Sequence, residues 1–368
     1  MKIKKLFQHV FKKFFQFIFK LYYGNLKLTE LNSIELETNL IKFIKIGKNT
    51  FPVDKEFYKI KNARIYTDLV EHVAIIKDNK IIPEISYQQI KGVHKSIEFN
   101  KVYKDGTPRF IKKIRGNVLS LVQGASGNNY FHFLFDVVTK LNLCNEVNSL
   151  KQINYFYLPG SFHWQKKILS TFNIFEDRII DSRESRHIMA DEIFALEHPW
   201  YQKGYVQDQI KYLPEWIIFS LRDKFLRFAK KFNTLDKIFI DRSDSIYNHC
   251  KIINNNEVIE FLSNNGFQSF QVSKLDFFEQ IYLFNNAKII IGPHGAAFSN
   301  IIFSEPGLKI IEYMPHNHLS VKCQKISNIL NFNYKKIKLL NINNFPSKEG
   351  DMKIDINDLK KVIHDLNN

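Results

Sequence analysis

Two short stretches hold most of the residues with usable chemistry. The first is GPHGAAFSN, residues Gly292 to Asn300, entered from a row of isoleucines. Gly292 and Gly295 let a backbone approach a ligand closely, and Pro293 stiffens the turn between them. A helix beginning here would leave the amides of Gly295, Ala296 and Ala297 as unsatisfied donors, suited to a phosphate or pyrophosphate. His294 adds a donor for a phosphate oxygen or a ribose hydroxyl. A tight strand-to-helix turn with its histidine satisfied by backbone would use the same residues, and the run is neither a Walker loop nor a dinucleotide fingerprint. The second stretch is GNNYFHFLFDVV, from Gly127. His132 and Asp136 stand four residues apart, so a helix puts both on one face. An imidazole and a carboxylate so related share a proton, and either can serve as general base. Asn129 and Tyr130 fall at the start of that helix, toward the same opening. A purely local hydrogen bond is the plainer alternative.

Four more positions carry charge or hydroxyl acceptors. Arg242 follows the buried-looking run FIDR, where an arginine must find an anion or a carboxylate. Lys251 comes after a polar loop, and Glu257 near the start of the next helix is a possible ribose or sugar ligand. The alternative is an Arg242–Glu257 salt bridge with a solvated lysine. Glu312, in KIIEYMP, either accepts from a sugar hydroxyl or caps the loop MPHNHLS. The sequence contains no D-x-D, H-E-x-x-H or G-x-S-x-G pattern. No metal and no bound cofactor is therefore required, and positive charge for a leaving phosphate would come from Arg242, Lys251 and helix dipoles.

These residues need elements to position them. From Lys237 onward the pattern alternates. Strands are expected at Lys237–Asp241, Gln268–Val272, Lys288–Gly292 and Lys309–Tyr313, with helices at Asn256–Asn264, Phe277–Asn286 and from Ala296. Such spacing implies βαβ units and a parallel sheet, whose ligands bind outside the carboxyl ends of the strands. DRSDS, VSKLD, GPHGAAFSN and EYMPHNH all follow strand ends and would face one cleft. Upstream, short β-like runs dominate residues 35–110. A strand at Val118–Val122, a helix from about Asn129, a strand in INYFYLP and a helix at His163–Phe172 come next. YLPEWIIFSLRDKFLRFAKKF reads as a long amphipathic helix with a basic outer face, bridging two domains.

Composition limits the partners. With 53 Lys+Arg against 37 Asp+Glu, the formal charge is +16, attractive to nucleic acid, anionic lipid or phosphorylated small molecules. A nucleic-acid module would explain the charge, but no RNP-like or helix-turn-helix pattern occurs, so nucleic acid is not an expected partner. Cys144, Cys250 and Cys323 lie far apart without a CxxC pair, which suits a reducing compartment. The amino terminus, MKIKKLFQHVFKKFFQFIFKLYYGN, has no apolar core region of a signal peptide and too many lysines to span a bilayer. On a helical wheel Lys5, His9, Lys12, Lys13, Gln16 and Lys20 oppose Ile3, Phe7, Val10, Phe14, Ile18 and Leu21. That is the pattern of a helix lying in an anionic membrane surface, or of an amphipathic helix packed on its own domain.

Taken together, NNYFHFLFDVVTKL, then IDRSDS with INNNEVIEFL, then LDFFEQIYLFNNAKIIIGPHGAAFSNIIFSEPG and IIEYMP, resemble glycosyltransferase family 61. That family includes bacterial capsule and lipopolysaccharide enzymes and eukaryotic O-GlcNAc and xylosyl transferases. The resemblance implies a GT-B-like α/β fold of two Rossmann-like domains facing a central cleft. It also implies inverting, metal-independent transfer from a nucleotide sugar, UDP being the expected nucleotide. Arg242, Lys251, Glu257, Gly292, His294, Gly295, Ala296 and Asn300 would lie around the donor, and His132 and Asp136 would face the acceptor. Asp136 is the expected base, with His132 orienting it. Gln280 matches a recurrent structural glutamine. Where members carry two adjacent arginines this chain has Cys250 and Lys251, which keeps a point charge but loses the bidentate fork. The implied organisation is a membrane-surface helix at 1–25, an acceptor-side α/β domain at 26–225 and a nucleotide-sugar-binding domain at 226–368. The acceptor would be a glycan or lipid-linked glycan, met at the inner face of the plasma membrane from the cytoplasm. A non-catalytic glycan-assembly partner of the same fold is the alternative.

Overall fold

In the carboxyl-terminal half, strand and helix alternate to build one parallel five-stranded sheet. Its order is Gln268–Phe270, Lys237–Ile240, Ile289–Pro293, Lys309–Pro315, Asn333–Leu339. The computed structural model describes residues 2–28, 35–69, 71–123, 127, 129–160, 162–202, 204–229, 236–245, 250–340 and 350–367. The chain divides into two units, 1–209 and 210–368.

In the second unit Ile289–Pro293 is buried at every position, as a central parallel strand covered on both faces must be. The helix before it, Phe277–Asn286, starts where the sequence signals it. Asp276 accepts from the amides of Phe278 (2.8 Å) and Glu279 (2.9 Å), while Glu279 accepts from the Asp276 amide (2.7 Å). This reciprocal cap is worth about 1 kcal/mol. Its buried face includes Phe277, which meets Phe225 with ring centroids 4.9 Å apart. Phe225 ends the helix Glu215–Phe225, which therefore belongs to this unit. That helix is shorter than the long bridge expected, because a 3₁₀ turn at Leu226–Phe228 ends it. The segment after GPHG is also tighter than expected: Ala296–Phe303 is a 3₁₀ helix, with Phe298 to Phe303 all buried.

The first unit holds a 13-stranded mixed sheet. Lys112–Ser120, Tyr155–Leu158 and Ile179–Asp181 are parallel neighbours joined by helices, so this portion is a βαβαβ unit. His187–Leu196 lies parallel beside Lys112–Ser120 and carries antiparallel strands on its other side, Arg64–Leu69 among them. Only part of this unit thus has the parallel pattern expected of a Rossmann-like half. The upstream residues form hairpins instead, for a local reason. At IKDNKI, Asp78 (φ 49°) and Asn79 (φ 58°) both adopt left-handed backbone, the requirement of a tight two-residue hairpin turn.

The helix Lys2–Tyr23 attaches by its last turns. Phe19 is buried against Phe110 (5.0 Å between centroids) and Tyr23 stacks on Phe19. The Lys20 ammonium donates to the Lys104 carbonyl (2.9 Å), and Gln16 is buried. The side turned inward is thus mixed, with Gln16 and Lys20 beside Phe19 and Tyr23. Phe7, Val10, Phe11, Phe14, Phe17, Leu21 and Tyr22 all remain more than half exposed, Phe7 at 74%. An amphipathic helix that simply covers its own domain buries its apolar stripe; this one presents it outward. No described helix is long and apolar enough to cross a membrane.

Candidate functional site

The helix that carries His132 and Asp136 is α-helical at Tyr130–His132, π-helical over Phe133–Val138, and α-helical again at Thr139–Glu146. Asn129 caps its start, accepting from the His132 amide at 3.3 Å. Tyr130 packs edge-on against Trp164. A single π-helical turn of this kind often marks a functional position. Here it contains Asp136, which has no exposed surface at all. His132 Nδ1 lies 3.0 Å from Asp136 Oδ2, and Trp200 Nε1 donates to Oδ1 at 2.8 Å. Tyr201 Oη stands 2.9 Å from the same imidazole nitrogen, and His198 Nε2 is 3.6 Å from Oδ2.

Electrostatics follow from this enclosure. Burial alone would raise the Asp136 carboxyl, but the facing imidazoles of His198 and His132 and their hydrogen bonds hold it well below the usual carboxylate range. Burial pushes His198 down to about 3 although Asp136 opposes this, so that ring is neutral. Its Nδ1 accepts from the Tyr201 amide at 2.8 Å. An ionised carboxylate with both oxygens engaged is a poor partner for an incoming hydroxyl. It is a good anchor for His132, whose side chain keeps 13% exposure. His132 Nε2 makes no hydrogen bond to a described residue. With Nδ1–H directed at the carboxylate, Nε2 carries the free lone pair. The local spacing brought His132 and Asp136 into view. His198, Trp200 and Tyr201 were not singled out, although HPWY is a dense run of imidazole and aromatic residues.

In the second unit the parallel sheet places the four strand-end loops at one edge, and they touch. The Arg242 guanidinium donates to the His294 carbonyl and, at 3.2 Å, to Ser245 Oγ. Gln271 Nε2 donates to Asp241 Oδ2 (3.0 Å), and the rings of His294 and His318 lie 4.2 Å apart. Asp241 also accepts from Asn255 Nδ2 and the Ser243 amide, fixing the loop that carries Arg242. A cavity of 430 Å³ opens here, lined by Arg242, Ser243, Lys251, Pro293, the asparagines 254–256 and Glu257. That volume suits a small-molecule ligand. Burial lowers the Arg242 pKa, with Cys250 and Asp244 opposing; no carboxylate among the described residues forms an ion pair with it. Glu257 accepts instead from Asn254 Nδ2 at 2.9 Å, so the Arg242–Glu257 bridge is not formed.

The glycine loop has a different part. A Cβ on Gly295 would meet the Arg242 guanidinium carbon at 2.6 Å, and one on Gly292 would meet Ile240 Cβ at 2.8 Å. Close packing on Ile240, rather than positive φ, requires glycine at 292, whereas at 295 the glycine makes room for the movable end of Arg242. Lys322, fully enclosed, donates to the Gly295 carbonyl at 2.8 Å. Arg242 and Lys322 thus hold two successive carbonyls. In a trans peptide the following N–H points the opposite way, so the Gly295 and Ala296 amides are aimed away from these cations. Those amides and that of Ala297 have no acceptor among the described residues. They form a second donor set, separate from the cavity wall.

Glu312 and Asn300 are bonded within the fold, away from the cavity lining. Glu312 is 1% exposed; it faces His294 Nδ1 at 2.6 Å and accepts from Tyr334 Oη at 2.6 Å and from Cys323 Sγ at 3.1 Å. Burial would raise its carboxyl, but His294 and the Tyr334 hydroxyl hold it down at about 2. Burial in turn lowers His294, with Glu312 pulling the other way. Glu312 therefore fixes the imidazole from below. Asn300, with no exposed surface, donates to Gln280 Oε1 at 2.9 Å and ties the 3₁₀ helix to its neighbour. Neither side chain lines the cavity. Among the described residues no cluster of His, Cys, Asp and Glu is placed to hold a metal ion.

Compared with known proteins, residues 130–311 match the family model described as Glycosyltransferase 61. No curated protein matches the chain.

Proposed function

The chain belongs to glycosyltransferase family 61 through residues 130–311, and from that premise we propose inverting transfer of a sugar from a UDP donor to a glycan hydroxyl. The carrying observation is the 430 Å³ cavity that gathers Arg242, Lys251 and Glu257. Two cations lining one cavity suit a diphosphate, and a carboxylate such as Glu257 can accept from a ribose or sugar hydroxyl. The reading takes the fold as GT-B-like, with the donor in the carboxyl-terminal domain and the acceptor in the amino-terminal one. It uses side-chain cations in place of a metal. The free amides of Gly295, Ala296 and Ala297 are a further phosphate-binding set.

In this mechanism His132 Nε2 takes the proton of the acceptor hydroxyl as its oxygen bonds to the anomeric carbon. The bond from that carbon to the nucleotide phosphate breaks, and the phosphate departs with the electron pair. Inversion follows from a single displacement. Asp136 holds the imidazole and balances the imidazolium that forms, which exchanges the base and orienting roles expected from sequence. Support for the exchange lies in the complete enclosure of Asp136 and the free Nε2 of His132.

The outward apolar stripe of Lys2–Tyr23, with Lys12 and Lys13 exposed beside it and no acidic residue within it, supports peripheral attachment to an anionic membrane. We place that attachment at the inner face of the plasma membrane, where lipid-linked precursors of capsule or lipopolysaccharide are extended. The test is a panel of nucleotide sugars in EDTA, with product anomers assigned by NMR. Consumption of a UDP sugar with inversion is expected. Retention, a strict need for divalent cation, or no turnover of any UDP sugar would overturn the proposal.

A further inference from the structure

The wall that holds His132 and Asp136 has another side. A cavity of 260 Å³ lies within the amino-terminal unit, and Tyr87, His94, Lys140, His198 and Tyr201 line it. Two of these residues serve both sides. Tyr201 reaches His132 with its hydroxyl, and His198 reaches toward Asp136 with Nε2. Flat rings make up much of the lining: Tyr87 and His94 stack at 5.1 Å, and His198 and Tyr201 at 3.6 Å. Such surfaces fit the C–H face of a sugar ring. The volume is below the roughly 300 Å³ at which pockets for drug-sized ligands begin, a size for about one sugar ring.

Lys140 supplies the selective feature. It lies one helical turn beyond Asp136, on the segment Thr139–Glu146, and keeps only 6% exposure. Its ammonium makes no hydrogen bond and no ion pair with a described residue, yet it lines the cavity. The ammonium meets the cavity rather than the packed interior, and a largely buried cation so placed gains from an anionic acceptor that enters. Burial pushes Lys140 down to about 8, which leaves it charged at neutral pH. Asp136, the carboxylate that opposes that fall, is already committed to His132 and Trp200. Glu84, Lys95 and Glu98 also line the cavity, and Lys140 is the buried cation among them.

We propose that this cavity is an acceptor subsite for a unit other than the one whose hydroxyl His132 meets, a sugar carrying one anionic group, a phosphate or a carboxylate, neutralised by Lys140. The proposal rests on the acceptor assignment above and adds the chemical class of the acceptor. It makes the enzyme an extender of acidic or phosphorylated glycans, and the step before it one that installs the charged sugar.

The test titrates the full chain with glucose 1-phosphate, glucuronate and glucose by calorimetry, with UDP affinity measured on the same preparation. At least one anionic sugar should bind at least about tenfold more tightly than glucose, as a charged hydrogen bond implies. The tighter of the two identifies the anionic group. Lys140→Met keeps side-chain length and should erase that preference, with UDP affinity held within about twofold. Equal binding of all three sugars, binding of neither anionic one, or an unchanged preference in the variant would overturn the proposal. The wild-type comparison stands alone if the variant does not fold. Anionic-sugar binding by a wild-type chain that fails to bind UDP would instead sink the donor reading and leave this one standing.

Discussion

Replacing Asp136 by asparagine separates a positioning role from a purely structural one. The amide oxygen of an asparagine can still accept from Trp200 Nε1, now 2.8 Å from Oδ1. Its NH₂ group would then face His132 Nδ1, now 3.0 Å from Oδ2. Two donors cannot share that contact, so the imidazole must place its proton on Nε2 and present Nδ1 as acceptor. The nitrogen proposed to take the acceptor proton would then carry one already. We expect kcat to fall by about 10²–10⁴-fold, the range for loss of a positioned base. Loss of charge-assisted bonds in a site with no exposure costs about 1.5–3 kcal/mol. At roughly 2–4 °C per kcal/mol, melting of this unit should fall by roughly 3–12 °C. Because the folded carboxyl is depressed, its contribution is complete above the unfolded value of about 3.9 and is lost as pH falls through the folded one. The gap in melting temperature should therefore persist from neutral pH to about 4 and close below it. His132→Ala is the companion: a similar loss of kcat with a smaller thermal shift, since that side chain is partly exposed. A lowered melting temperature with wild-type kcat in Asp136→Asn would refute the positioning argument.

Three other outcomes follow from particular contacts. Gly295→Ala should weaken UDP binding by about tenfold or more without unfolding the protein, because the added carbon displaces the Arg242 guanidinium while φ, at 174°, stays ordinary; an unchanged dissociation constant by calorimetry would exclude Arg242 from the donor site. Glu312 is held at about 2 against an ordinary 4.5, so it stabilises fully above 4.5 and progressively less as pH falls toward 2. The melting temperature of Glu312→Gln should therefore lie below wild type at neutral pH and converge with it in acid, and parallel pH profiles would show that the carboxylate is not the source. Serine at Phe7, Phe11 and Phe14 together should abolish co-sedimentation with phosphatidylglycerol vesicles and leave melting unchanged, since all three are more than half exposed; retained vesicle binding would remove the helix from the membrane reading.

What the sequence determined by itself is local. The period of the isoleucine run, the Asp276–Glu279 cap and the paired left-handed residues at Asp78–Asn79 each depend on neighbours within a few positions. So does the His132–Asp136 pairing, and all four were legible or derivable before any fold. The direction of the apolar stripe on Lys2–Tyr23 was not, because a helical wheel defines two faces without saying which one a domain covers. Nor could the sequence give the environment of Asp136: Trp200 comes from 64 residues away, and its contact exists only once both are packed. Glu312 and Asn300 looked like ligands because of where they stand along the chain. Tertiary packing engages both within the fold, since each is buried against a neighbouring element that supplies its hydrogen-bond partner. Lys140 shows the converse: an ordinary lysine in sequence becomes chemically distinct only because the packed unit surrounds it without supplying an acceptor.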